Sequence, residues 1–138
     1  MRLSSRYTLA LQILCLCDIY KDQKITSNFI ARKTGADPSI IRSTILELKK
    51  RDYLSSKPGP GGTTLNVDLK TITLYDVYEL MEDPNEPALH FYDAPITCTD
   101  TDIALRNSSE RLFNGYVQEF YEKLKSTTVD KLCNEANI

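Results

Sequence analysis

The chain is poor in the residues that build reactive centres. It has no tryptophan, a single histidine, His90, and five glycines among 138 residues. It contains no H-E-x-x-H and no G-x-S-x-G, and its one G-G-T-T stretch follows a lysine instead of preceding one, so it is not a phosphate-cradling loop. No catalytic constellation is legible, and the chain is not expected to be an enzyme. It also lacks a run of about 18 apolar residues, so no membrane span and no membrane partner are expected. The start, MRLSSRYTLALQILCLC, has the basic-then-apolar outline of a signal peptide. Arg6, Tyr7 and Gln12 interrupt it at helical intervals, however, and no small-residue cleavage site follows. The chain therefore reads as cytoplasmic, with Cys15, Cys17, Cys98 and Cys133 as reduced thiols. Cys15 and Cys17 are two apart on a helix, point to different sides, and read as core thiols rather than a mutual disulfide or a shared metal site.

What is present is distributed unevenly. Apolar residues make up 41% of the chain, enough for one core, and the length fits one domain or one domain with an appended element. The net charge of −2 conceals an asymmetry. Residues 1–70 carry 12 Lys and Arg against 6 Asp and Glu, a net of +6, whereas residues 71–138 carry 5 against 13, a net of −8. A polyanion-binding face confined to the N-terminal half is the physical reading of that split.

The first helix is expected over about Ser5 to Tyr20 and is apolar on nearly every side, as a helix buried by several neighbours would be. In TSNFIARKTGA, Thr26 or Ser27 caps a second helix that Gly35 ends. In DPSIIRSTILELKK, Asp37 caps and Pro38 occupies the first turn of a third, whose inward stripe is Ile41, Ile45 and Leu48. Two short helices across a tight turn make a helix-turn-helix. YLSSK and TTLNVDL are β-prone runs on either side of PGPGG, which reads as a hairpin, and a helix-turn-helix followed by such a ribbon is a winged helix. Thr73 caps a further helix with Leu74, Val77, Tyr78 and Met81 inward. Residues 83–100 carry three prolines and read as an irregular linker. A long helix begins near Thr101, and a short one is expected within STTVDKLCNEANI.

In a winged helix the second helix of the motif enters the major groove. Its outward positions near the start are Ser39, Arg42 and Ser43, of which Arg42 has the fork geometry for guanine O6 and N7. Phosphate contacts are expected from Ser5, Arg6 and Tyr7 at the first helix, and from Thr26 and Ser27, which also serve as caps. Lys49, Lys50 and Arg51 read as a solvated run. The wing would place Lys57 and a side-chain-poor tip of Gly59, Gly61 and Gly62, followed by Thr63, in a minor groove about 6 Å wide. On the long helix Leu112, Phe113, Tyr116, Val117, Phe120 and Leu124 share one face, a stripe that requires a second copy of the chain.

Taken in order, MRLSSRYTLAL, the helix-turn-helix TSNFIARKTGADPSIIRSTILELKKRDYL, the wing SSKPGPGGTTL and ITLYDVYELME resemble the Rrf-two family of bacterial transcription regulators, closely over residues 1–82 and loosely over 98–132. SSRYTLALQIL and DPSIIRSTILELKK look most like its cluster-free YwnA-like branch. The resemblance implies a homodimeric winged-helix repressor bound to double-stranded DNA at an operator palindrome. Its iron–sulfur members carry three closely spaced cysteines before the long helix. Here residues 83–100 hold only Cys98, so no cofactor and no metal site is expected; Cys98 remains a candidate redox residue and His90 a surface or packing residue.

The expected architecture is mainly α with a small β-hairpin. A winged helix-turn-helix domain spans 1–82, a linker loop 83–100, and a dimerisation helix with a C-terminal tail 101–138. The 83–100 region leaves room for a small-molecule or protein effector. The competing reading is a winged-helix interaction module that docks a metabolic enzyme and has little DNA affinity; such an adaptor has no need of the +6 half or the basic wing.

Overall fold

A computed structural model of the chain describes residues 1–56 and 62–136. Eight elements follow in order: α1 (Ser5–Ile19), α2 (Ser27–Thr34), α3 (Pro38–Lys50), β1 (Leu54–Ser56), β2 (Thr63–Leu65), α4 (Leu74–Met81), α5 (Asp100–Lys125) and α6 (Val129–Ala136). The chain is mainly helical with one two-stranded antiparallel ribbon, the fold class expected from the sequence.

Local chemistry sets most of the boundaries. Thr26 caps α2 by accepting from the Phe29 N–H at 3.1 Å. Gly35 closes α2 with φ of +78° and donates its N–H to the Ala31 carbonyl at 2.8 Å, the left-handed exit that favours glycine. Two residues later Asp37 accepts from the Ser39 N–H at 2.8 Å and Pro38 opens α3. Thr73 and Asp76 form a reciprocal capping box at α4, and Thr99 and Asp102 form another at α5. The ribbon pairs Leu54 with Leu65, Ser55 with Thr64 and Ser56 with Thr63.

The core explains why α1 is apolar almost all round. Tyr7, Leu9, Ala10, Leu11, Ile13, Leu14, Cys15 and Cys17 are all buried on it, because α2, α3, α4, α6 and β2 pack against it from different directions. Ile41, Ile45 and Leu48 of α3 are buried on the inner side, as their spacing predicts. Tyr7, Tyr75, Tyr78 and Tyr121 form an aromatic cluster that joins α1, α4 and α5, with ring centroids 5.3–6.2 Å apart.

The C-terminal segment belongs to the same core. Leu124, Val129 and Cys133 are buried in it. Leu74 donates its N–H to the Thr127 carbonyl at 2.9 Å, Val129 to Ile72 at 3.0 Å and Asp130 to Leu69 at 3.2 Å. One expectation is corrected here. Cys15 and Cys133 are joined sulfur to sulfur, with Cα atoms 5.4 Å apart, whereas the sequence reading has all four cysteines as unpaired thiols. The partner of Cys15 lies 118 residues away, where no spacing rule reaches. Cys17 is free and buried, and Cys98 is free and half-buried.

Candidate nucleic-acid interface

The exposed side of α3 is a ridge between two hollows. On one side an open groove of about 580 Å³ is lined by Lys24, Thr26, Ser27, Arg42, Leu46, Lys49, Ser56, Gly62 and Thr63, among others. On the other a hollow of about 510 Å³ lies between α3 and the start of α1 and includes Ser5, Arg6, Gly35, Asp37 and Ile40. The fold thus brings the N-terminal ends of α1, α2 and α3 and the base of the ribbon onto one face. The α1 and α2 N-termini, together with the basic side chains, are a setting for phosphates, while the α3 N-terminus already carries the Asp37 carboxylate.

Charge on this face is uncommitted. Among the described residues the ion pairs are Lys50–Glu47, Arg51–Glu79 and Lys125–Glu122. Arg6, Lys24 and Arg42 enter none of them. The Asp37 carboxyl is held below the ordinary carboxylate range, first by the Ser39 hydroxyl and then by the Ser39 N–H, with the Arg42 charge as a smaller contribution. Ser39 therefore spends its proton on its own cap, and Ser43 donates to the Ile40 carbonyl at 2.9 Å. Among the described residues Arg42 is the one of the three expected readers whose side chain enters no hydrogen bond or ion pair.

Not every expected contact stays on the surface. Tyr7 is only 4% exposed. Its hydroxyl donates to the Leu74 carbonyl at 2.7 Å, and burial, followed by the neighbouring Tyr78, pushes its pKa up to about 12. Tyr7 is a core residue, and its side chain has no route to a phosphate. Thr63 is also turned in, 9% exposed, with its N–H on the Ile25 carbonyl at 2.8 Å. Gly62 has φ of +81°, and a Cβ there would stand 2.6 Å from the Ile25 carbonyl oxygen. Glycine at 62 lets the ribbon base close onto the segment before α2, a duty distinct from thinning a tip. Lys57, Gly59 and Gly61 lie outside the described residues.

The structure adds residues that the sequence reading passed over. Leu46 is 59% and Ile40 48% exposed on the α3 ridge, apolar groups suited to a thymine methyl. Leu46 stands four residues after Arg42, so the helical period alone could have found it. Lys49, read as part of a solvated run, instead donates to the Ser56 hydroxyl and lines the groove.

The stripe on α5 divides. Leu124 is in the core, and Val117 and Phe120 lean on the core from its edge. Leu112, Phe113 and Tyr116 stay about half exposed, with Ile103 and Leu105 open further up the helix. Phe113 and Tyr116 meet edge to face at 5.8 Å.

The Rrf2 family profile, described as "Iron-dependent Transcriptional regulator", matches residues 3–135. The chain belongs to the Rrf2 family. Its members are transcription regulators, not enzymes. YwnA of Bacillus subtilis (strain 168), named "Putative HTH-type transcriptional regulator", is 27% identical over 132 residues, covering 96% of this chain and 97% of YwnA. Among solved structures, CymR, the global cysteine regulator of B. subtilis, superposes with a TM-score of 0.70 at 21% identity, covering 97% of each chain. T. potens IscR superposes with a TM-score of 0.72 at 17% identity, covering 99% of this chain and 89% of its own. These last two show the winged-helix fold.

The family description raises the question of iron. Three-thiolate ligation needs three cysteines at one place. Cys98 stands alone in the loop before α5, while Cys15, Cys17 and Cys133 lie in the α1–α6 core. Among the described residues no group of three or more His, Cys, Asp or Glu is placed to hold a metal ion. The residues present do not fit a cluster of that kind. No helix among the described residues is long and apolar enough to cross a membrane.

Proposed function

We propose that this Rrf2-family regulator is a cytoplasmic, homodimeric, sequence-specific DNA-binding protein, acts as a repressor, and works without an iron–sulfur cluster. In this reading residues 1–82 hold the DNA, 83–100 connect and leave room for a small-molecule or protein effector, and 101–138 dimerise. The observation that carries the reading is the uncommitted Arg42 on the α3 ridge, flanked by a groove that adds Lys24 and Lys49. The ridge Ser39, Ile40, Arg42, Ser43 and Leu46 lies along the major groove. Arg42 forks onto a guanine, Ile40 and Leu46 touch thymine methyls, and the two serines accept through their remaining lone pairs. Ser5, Arg6, Thr26 and Ser27 meet phosphates on either side. Lys57 and the glycines of the wing track the adjacent minor groove.

The exposed Leu112, Phe113 and Tyr116 support the dimer. A hollow of about 540 Å³ beside them, at Gly115, offers a seat for the same side chains of a second copy. An isologous pairing sets two α3 helices about one DNA turn, roughly 34 Å, or a multiple apart. Selection from random or genomic DNA fragments tests this reading. An inverted repeat should emerge whose half-site centres are that far apart, with affinity that falls steeply with salt. No enrichment over input, or a salt-independent affinity, refutes it.

A further inference from the structure

Away from the α3 face, the fold brings together two sulfur atoms that the regulator reading does not use. Cys15 sits in the third turn of α1 and Cys133 in α6, with Cα atoms 5.4 Å apart and 118 residues between them in sequence. That separation lies within the range of about 4.4–6.8 Å that disulfides span without backbone movement. Cys15 is 8% and Cys133 2% exposed. The other two cysteines are set apart from this pair. Cys17 is packed in the core, where burial pushes its thiol up to about 12, and Cys98 lies in the turn before α5.

The position of the pair gives it a consequence. The front of α6 is tied down by the Thr127, Val129 and Asp130 backbone hydrogen bonds. Past Asp130, no backbone hydrogen bond links α6 to the rest of the described chain, and the buried side chain there is Cys133. The sulfur pair therefore decides whether the distal half of α6 is fastened to α1. Because α5 runs into α6 through three residues, it also ties the base of the long helix to the centre of the winged helix.

We propose that Cys15 and Cys133 are a reversible thiol–disulfide site, closed by a hydroperoxide and reopened by a dithiol reductant. One sulfur, as thiolate, attacks the peroxide O–O bond and becomes a sulfenic acid, and the departing alkoxide or hydroxide takes up the proton. The second thiol attacks that sulfur, the S–S bond forms, and the sulfenic hydroxyl leaves as water with the second thiol's proton. The two sulfurs together lose two electrons, and the peroxide gains them as it becomes an alcohol, or water, plus one water. Cys15, the more exposed, is the first to be oxidised. A short C-terminal helix such as α6 opens at lower cost than the whole domain, and each opening admits oxidant or reductant. The resting state rests on the cytoplasmic reading above. In a reducing compartment the pair is open and closes under oxidative load, since disulfides there are usually transient and redox-sensing. The site itself does not depend on DNA binding.

The test uses the full chain and reads sulfur chemistry and stability, so its failure is distinct from failure of the DNA reading. Protein reduced with dithiothreitol and desalted is treated with hydrogen peroxide, unfolded and alkylated with a maleimide. Of its four thiols, two should become unavailable, with the loss of two hydrogens from the intact mass and a Cys15–Cys133 cross-linked peptide. Dithiothreitol should restore all four, and the oxidised form should melt at the higher temperature. Cys133→Ser, or Cys15→Ser if the first folds poorly, should abolish the loss, and Cys17→Ser should leave it intact. Four thiols still alkylated after oxidation, a bond that involves Cys98 or joins two chains, or a bond that dithiothreitol cannot open without denaturant would overturn the proposal.

Discussion

Gly62 and Gly35 both sit at positive φ, +81° and +78°, yet alanine should affect them unequally. A non-glycine residue in the left-handed region costs about 1–2 kcal/mol. At Gly35 nothing lies within 4 Å of an added Cβ, so that penalty is the whole expected effect of Gly35→Ala. At Gly62 the new Cβ would stand 2.6 Å from the Ile25 carbonyl oxygen and 3.0 Å from the Ile25 N and C atoms. Those are backbone atoms and cannot rotate away. The ribbon base must lift, which strains or breaks the Thr63 N–H···Ile25 carbonyl bond of 2.8 Å, worth about 0.5–1.5 kcal/mol net. Gly62→Ala should therefore cost about 1.5–3.5 kcal/mol. Urea denaturation followed by circular dichroism measures both variants against the parent. Because Gly62 and Thr63 line the groove beside Arg42, folded Gly62→Ala should also bind DNA more weakly, while folded Gly35→Ala should change binding less. Equal destabilisation by the two substitutions would refute the claim that the ribbon base is locked against Ile25.

Three further outcomes are expected. The Tyr7 phenol titrates near 12 when folded and near 10 when unfolded. Its contribution is thus complete below pH 10 and lost as pH rises through 12; stability should fall across that window, and Tyr7→Phe should flatten the alkaline limb of a pH–denaturation series. A limb unchanged by the substitution would contradict the buried placement of Tyr7. Phe113→Asp places a charge on the exposed face of α5 and should lower the mass seen by sedimentation together with DNA affinity; a fully dimeric variant would remove this face from the interface. Anaerobic incubation with iron and sulfide should leave the visible spectrum empty, and a stoichiometric cluster absorbance would overturn the cluster-free reading.

Much of the fold was legible because its boundaries rest on local chemistry. Thr26, Asp37 and Thr73 were readable as caps and Gly35 as a stop, and the structure gives each that role. The inward stripe of α3 followed from period alone, and the all-round apolarity of α1 foretold a helix packed on several sides. The features that escaped are set by distant parts of the chain. Tyr7 looks like a surface residue near a basic helix start until α4 supplies the Leu74 carbonyl for its hydroxyl. Leu124 looks like the end of an interface stripe, but it is buried in its own core beside Tyr121, Val129 and Cys133. Gly62 reads as one of three slim tip residues, and the close approach of Ile25, 37 positions earlier, is what requires it. Cys15 found its partner across almost the whole chain. Leu46 is hidden for a different reason. It carries the helical spacing of a groove-facing residue, but an apolar side chain on a short helix is the ordinary mark of a buried position.

The most direct test of the account is the binding of Arg42→Ala to a selected DNA site and to its single base-pair variants. The α3 ridge, with Arg42 as its free fork donor, predicts a loss of about 1–3 kcal/mol on the parent site and relaxed preference at one base pair per half-site, with the other positions unaffected. A uniform loss across every variant would make Arg42 a backbone contact, and undiminished affinity and specificity would remove α3 from the interface.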